Sequence, residues 1–95
     1  MLNPEQLEMF AQAVNVEQEK AEAKHQGWPT DAVHASAILN EEAGKLTQAC
    51  IDYHYGHTPP EEAYERMAIM TLRVAAMSLR FWSALHEYKK PIREK

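Results

Sequence analysis

A chain of 95 residues, 45% hydrophobic and 25% charged, has room for one core and one domain. Its net charge of -4 argues against a general nucleic-acid binder, and its single cysteine excludes an intrachain disulfide. Helical chains this short often complete their core by associating with copies of themselves.

The charge is unevenly spread. Residues 2–26 carry five acids against Lys20 and Lys24, residues 27–56 four acids against Lys45, and residues 57–95 seven bases against five acids. This distribution leaves room for a basic face on the last helix. With no signal-peptide pattern and no apolar run of about 18 residues, the chain is expected to be cytoplasmic, soluble and independent of membranes.

In chain order, Asn3-Pro4-Glu5-Gln6 predicts a helix start, with Asn3 as cap, Pro4 at the first position and Gln6 reaching back. The first helix should run to about His25 on a narrow apolar stripe of Leu7, Phe10, Ala13, Val14 and Ala21. Gly27 and Pro29 break the pattern, and Trp28 between them is expected to plug one end of a bundle. Thr30 or Asp31 then caps a second helix, whose apolar positions are Ala35, Ile38, Leu39, Leu46, Ala49, Cys50 and Tyr53. Cys50 reads as a small buried hydrophobe. Near Gly56 this helix should end.

Thr58-Pro59-Pro60-Glu61 predicts a restart, with Thr58 capping and Glu61 completing a capping box. The third helix should reach about Glu87, its stripe running through Tyr64, Met67, Met70, Thr71, Val74, Ala75, Ser78, Phe81, Trp82 and Leu85. Pro91 blocks continuation, and residues 88–95 read as a flexible tail beyond a core at 28–87. The expected architecture is all-α, with long antiparallel helices joined by tight connections. Their wide apolar faces would pair with the same hairpin of a second chain to give a four-helix core.

Two adjacent carboxylates, Glu41 and Glu42, interrupt the second helix. They stand about 100° apart and so belong to different faces. Glu41 and Lys45 are spaced for a surface ion pair. Glu42 shares a line with Lys45, Ala49 and Asp52. Inward-facing carboxylates at i and i+3 can hold a divalent cation, but the i+3 partner of Glu42 is Lys45, whose charge repels a metal and attracts phosphate. Arg66, Arg73 and Arg80 recur every seven residues on the third helix. They form either a solvated edge paired with acids of the other helices or a surface for polyanions. His54-x-x-His57 offers two metal ligands but no third, and the five histidines read as structural. Ser36, Ser78 and Ser83 have no His–acid constellation beside them in sequence.

Taken together, His34-Ala35-Ser36-Ala37-Ile38-Leu39-Asn40-Glu41-Glu42-Ala43-Gly44-Lys45-Leu46 and Val74-Ala75-Ala76-Met77-Ser78-Leu79-Arg80-Phe81 resemble the two signature helices of the MazG-like nucleoside triphosphate pyrophosphohydrolases. The resemblance covers roughly residues 28 to 85. It implies a helical bundle that assembles as a homodimer or homotetramer and binds Mg²⁺ through acidic pairs on two helices. Glu42 matches the first acid of the first pair, with Glu41 a weaker candidate. Lys45 stands at the second acid of that pair, and Met70 and Arg73 stand at the two positions of the other; a shifted alignment would put Glu62 and Glu65 there instead, at the expense of the better match downstream. A Mg²⁺ site is therefore expected to be degraded, with Lys45 and Arg73 placed to contact phosphate instead. The expected function is a catalytically degenerate binder of a nucleotide or another anionic small molecule. The alternatives are an active Mg²⁺-dependent pyrophosphohydrolase and a purely structural interaction module.

Overall fold

The computed structural model describes residues 2–92. They form α1 (Pro4–Lys24), α2 (Ala32–His54) and α3 (Pro60–Ser83), followed by a 3-10 turn at Leu85–Glu87. Among the described residues there is no strand, so the chain is all-α. None of the described helices is long and apolar enough to cross a membrane.

Local chemistry sets each helix start. Asn3 accepts from the Gln6 backbone N–H at 2.8 Å while the Gln6 side chain accepts from the Asn3 N–H at 2.9 Å, a complete capping box. Asp31, rather than Thr30, caps α2 by accepting from the backbone N–H groups of Val33 and His34. At α3 the expectation fails. Pro59 occupies the cap position without a side-chain hydrogen bond, and the helix begins at Pro60. Proline lacks an N–H needing a partner, and Glu61 and Glu62 in the first turn oppose the positive end of the helix dipole. Gly27 and Gly56, in the two connections, both have positive φ, a conformation a side chain would strain.

The α2–α3 hairpin is antiparallel. Asp52 near the end of α2 pairs with Arg66 early in α3, while Gly27 and Trp28, before α2, meet Arg80 late in α3. α3 is the shared floor, for α1 and α2 each pack against it and not against one another. The core is thin. Its fully covered residues are the alanines Ala35, Ala49, Ala63 and Ala76, joined by the nearly covered Val14, Met70, Met77 and Ala84. Val14, Ala76 and Met77 form its centre, flanked by Ala21, Trp28, Ile38, Leu39, Leu72 and Ala75.

Three expectations change here. Only the end of the α1 stripe is used: Val14 is buried, whereas residues 2–12 are all exposed, Leu7 and Phe10 included. Cys50 and Tyr53 are exposed, because they sit at the edge of the α2 face that Ala35 and Ala49 bury. The long α3 stripe is really two faces, since its members span more than half the helix circumference. Met70 is buried and Met67, Val74, Ala75 and Phe81 partly so, while Tyr64, Thr71, Ser78, Trp82 and Leu85 are exposed.

The expected tail also starts later. Tyr88 accepts a hydrogen bond from Trp28 Nε1 at 2.8 Å and donates to the Phe81 carbonyl at 3.3 Å. Lys89 N–H donates to the Thr30 carbonyl at 2.8 Å. Trp28, partly buried and covered by the Arg80 guanidinium at 4.9 Å from its ring centre, closes this end of the hairpin. Residues 93–95 of the expected tail lie outside the described residues.

Candidate functional site

A cleft of about 400 Å³ opens where α1 and α2 diverge above α3. Arg73, Ala76 and Met77 of α3 form its floor. Glu42 and Lys45 line it from α2, and Glu17, Lys20, Ala21 and Lys24 from α1, with His25 at the helix end. Such a volume lies within the rough range of 300–1,000 Å³ typical of small-molecule sites.

Each charged group is placed by an apolar neighbour on its own helix. Arg73 stands one turn before Met77, which anchors α3 in the core, and its Nε lies 3.7 Å from Glu17 Oε1 of α1. Glu42 lies between Leu39 and Leu46, one helical turn from each, and its side chain is only 19% exposed. Lys45 begins one turn later at the rim. On α1, Glu17 and Ala21 continue the Val14 stripe, and Lys20 and Lys24 flank it.

The cations outnumber the anions. Lys20, Lys24, Lys45 and Arg73 face Glu17 and Glu42. Lys45 Nζ is 3.4 Å from Glu42 Oε1 and 4.0 Å from Glu41 Oε1. Glu17 is shared between Arg73 Nε at 3.7 Å and Lys20 Nζ at 3.3 Å. The cationic partners are 48–73% exposed, so each pair is screened by solvent and contributes on the order of 0.2–1 kcal/mol, little enough for an arriving anion to displace. Lys24 brings a further positive charge without an ion-pair partner among the described residues, and His25 stands beside it at the helix end. The second oxygen of Glu42, Oε2, is inaccessible and has no hydrogen-bond partner.

The donor set does not suit Mg²⁺. That cation wants oxygen ligands in a near-octahedral shell, with carboxylates free to bind it. Here Glu42 is engaged by Lys45, Glu17 by Arg73 and Lys20, and the surrounding groups are cationic. Among the described residues no three His, Cys, Asp or Glu side chains are grouped to hold a metal. Met70, at one of the two positions of the second expected acidic pair, is buried in the core.

Glu42, Lys45 and Arg73, expected to share a site, do line one cleft. Glu41 does not join them; its side chain is 70% exposed and faces outward. The three arginines of α3 serve separate contacts: Arg66 with Asp52 at 3.7 Å, Arg73 with Glu17, and Arg80 donating to the Gly27 carbonyl at 2.8 Å. His57 Nδ1 lies 3.4 Å from Asp52 Oδ1, and His54 packs edge-on against Tyr55, so His54 and His57 do not act together. Sequence reasoning missed the whole contribution of α1, namely Glu17, Lys20, Lys24 and His25. The signal was present in Glu17-x-x-Lys20-x-x-x-Lys24. This spacing sets charges along one side of the Val14–Ala21 stripe, at the border of a buried face.

No protein-family model, no curated protein and no solved structure matches this chain.

Proposed function

We propose that the protein is a binder of a nucleotide or another phosphate-bearing small molecule, built on a MazG-like helical bundle whose acidic metal site has been replaced by cations. The observation that carries this reading is the charge of the cleft: four cations against two carboxylates, in a chain whose net charge is -4. A phosphate held there would draw Arg73 and Lys45 from their weak ion pairs into charge-assisted hydrogen bonds, each worth roughly 1.5–3 kcal/mol. Ala21, Ala76 and Met77 leave an apolar strip for the uncharged part of the ligand. The bundle is completed by further copies of the chain, as a homodimer or homotetramer.

Calorimetric titration with inorganic pyrophosphate and with a panel of nucleoside triphosphates tests the reading. Binding without added Mg²⁺ is expected, weakened about tenfold or more by Lys45→Ala and again by Arg73→Ala. Pyrophosphate release from a triphosphate that depends on Mg²⁺ would favour a retained pyrophosphohydrolase. No heat and no shift in melting temperature with any of these probes would leave a structural interaction module.

A further inference from the structure

The cations of the cleft differ in how they are held. Glu17 meets Arg73 at Nε, 3.7 Å away. Arg80 commits a terminal nitrogen to the Gly27 carbonyl, but no such bond among the described residues occupies Nη1 or Nη2 of Arg73. A guanidinium held by its inner nitrogen keeps the fork of terminal N–H groups that fits two oxygens of one phosphate. Lys45 stands on α2, 3.4 Å from Glu42, while Lys20 shares Glu17 with Arg73. Lys24 lines the cleft from the end of α1.

The two carboxylates are the less mobile half of this lining. Their side chains are 12% exposed for Glu17 and 19% for Glu42, so both stay where they are when a ligand enters, and water screens them poorly. With His25 neutral, four cations and two carboxylates leave the lining with two net positive charges. Glu41 reaches Lys45 from outside at 4.0 Å, but its side chain is 70% exposed and screened. A phosphomonoester carries about −1.5 to −2 at neutral pH, so a single phosphate neutralises the lining.

A second or third phosphoryl group meets different conditions. Each brings roughly one more negative charge to a cleft whose own charge is already matched. Its oxygens must give up water, and they come within range of Glu17 and Glu42. One like-charge pair about 6 Å apart, at an effective dielectric of about 40, weakens binding about tenfold. Polyphosphate sites ordinarily offset this charge with Mg²⁺ held by carboxylates, but here both carboxylates are engaged by cations.

We propose that the ligand is a phosphomonoester, one terminal phosphate on a small organic group, and that Glu17 and Glu42 set the selectivity against polyphosphates. The proposal rests on the reading of the cleft as a phosphate site and narrows its ligand class. The phosphate lies between the Arg73 fork and Lys45, and Lys20 and Lys24 complete its surroundings from α1. Ala21, Ala76 and Met77 receive the organic group. The cleft volume of about 400 Å³ is near the lower end of the rough range for small-molecule sites, which suits one such molecule. Pyrophosphate and nucleoside triphosphates still bind, but more weakly.

Titration calorimetry of the full chain, with a chelator present, compares phenyl phosphate with adenosine mono-, di- and triphosphate. The monophosphate is expected to bind about tenfold more tightly than the triphosphate, with the diphosphate between them. Glu42→Gln raises the charge of the lining by one and should narrow that gap several-fold. Lys24→Gln lowers the charge by one and should widen it; this side chain is on the exposed surface of α1, so the variant decides the matter if Glu42→Gln loses its helical circular dichroism. Affinity that rises with the number of phosphates would overturn the proposal, while leaving the cleft an anion site. So would an unchanged gap in either folded variant. Binding of none of the four probes would defeat the phosphate reading itself, and the two failures are thereby distinguishable.

Discussion

Glu42 holds its charge in an unequal bond. One oxygen lies 3.4 Å from the Lys45 ammonium, and the other is out of reach of water and of any donor in the protein. A carboxylate so placed keeps Lys45 over the cleft but also repels any anion that enters. Two unit charges about 6 Å apart at an effective dielectric of about 40 interact by roughly 1.4 kcal/mol. Glu42→Gln is therefore expected to tighten pyrophosphate binding up to about tenfold, read by titration calorimetry, with the helical content unchanged. Weaker binding in Glu42→Gln would mean instead that the carboxylate contacts the ligand or a cation carried with it. Arg73 behaves in the opposite sense. Charge reversal by Arg73→Glu places a carboxylate beside Glu17 and Glu42 and should abolish pyrophosphate binding, whereas a merely solvated arginine edge would leave it intact.

At the scale of elements, the segment after α3 is fastened to the connection before α2. The Tyr88 hydroxyl bridges Trp28 Nε1 and the Phe81 carbonyl, its ring packs 5.1 Å from that of Phe81, and the next residue bonds back to Thr30. Tyr88→Phe keeps the ring and leaves the partly buried indole N–H unpaired, at a cost of about 1–3 kcal/mol. Its thermal melt should fall by several degrees; an unchanged melt would show that the bridge does not form. This strap was not legible in the sequence, because Pro91 and the lysines around it read as a frayed end, and a hydrogen bond spanning 60 residues leaves no local pattern. Helix existence was legible from spacing and from the Asn3 and Asp31 caps. The start of α3 was not, since Thr58 had the right chemistry one position too early for the helix that Pro59 and Pro60 permit. Of the cleft, Glu42, Lys45 and Arg73 stood out as charges inside apolar runs. Lys20 and Lys24 did not, because α1 is polar almost all round and only its docking on α3 decides which charges face inward.

For the molecule as a whole, the thinness of the core sets the expectation. Alanine contributes little apolar area, and the larger core residues, Val14, Met70 and Met77, are few for a chain of this length. The apolar side chains that would deepen the core, Trp82, Tyr64 and Leu79 among them, lie on the outside of a single copy. For the homodimer proposed above, part of the stability comes from association, and the unfolding equilibrium is one between a folded dimer and two unfolded chains, whose midpoint depends on concentration. A hundredfold rise in concentration adds about 2.7 kcal/mol per dimer at 25 °C. Against an unfolding entropy of about 2.1 cal/mol/K per residue summed over both chains, this raises the midpoint by roughly 7 °C. Scanning calorimetry at two concentrations a hundredfold apart measures that rise directly. A wild-type midpoint independent of concentration would mean that Ala35, Ala49, Ala63, Ala76 and their few larger neighbours suffice to hold the fold alone.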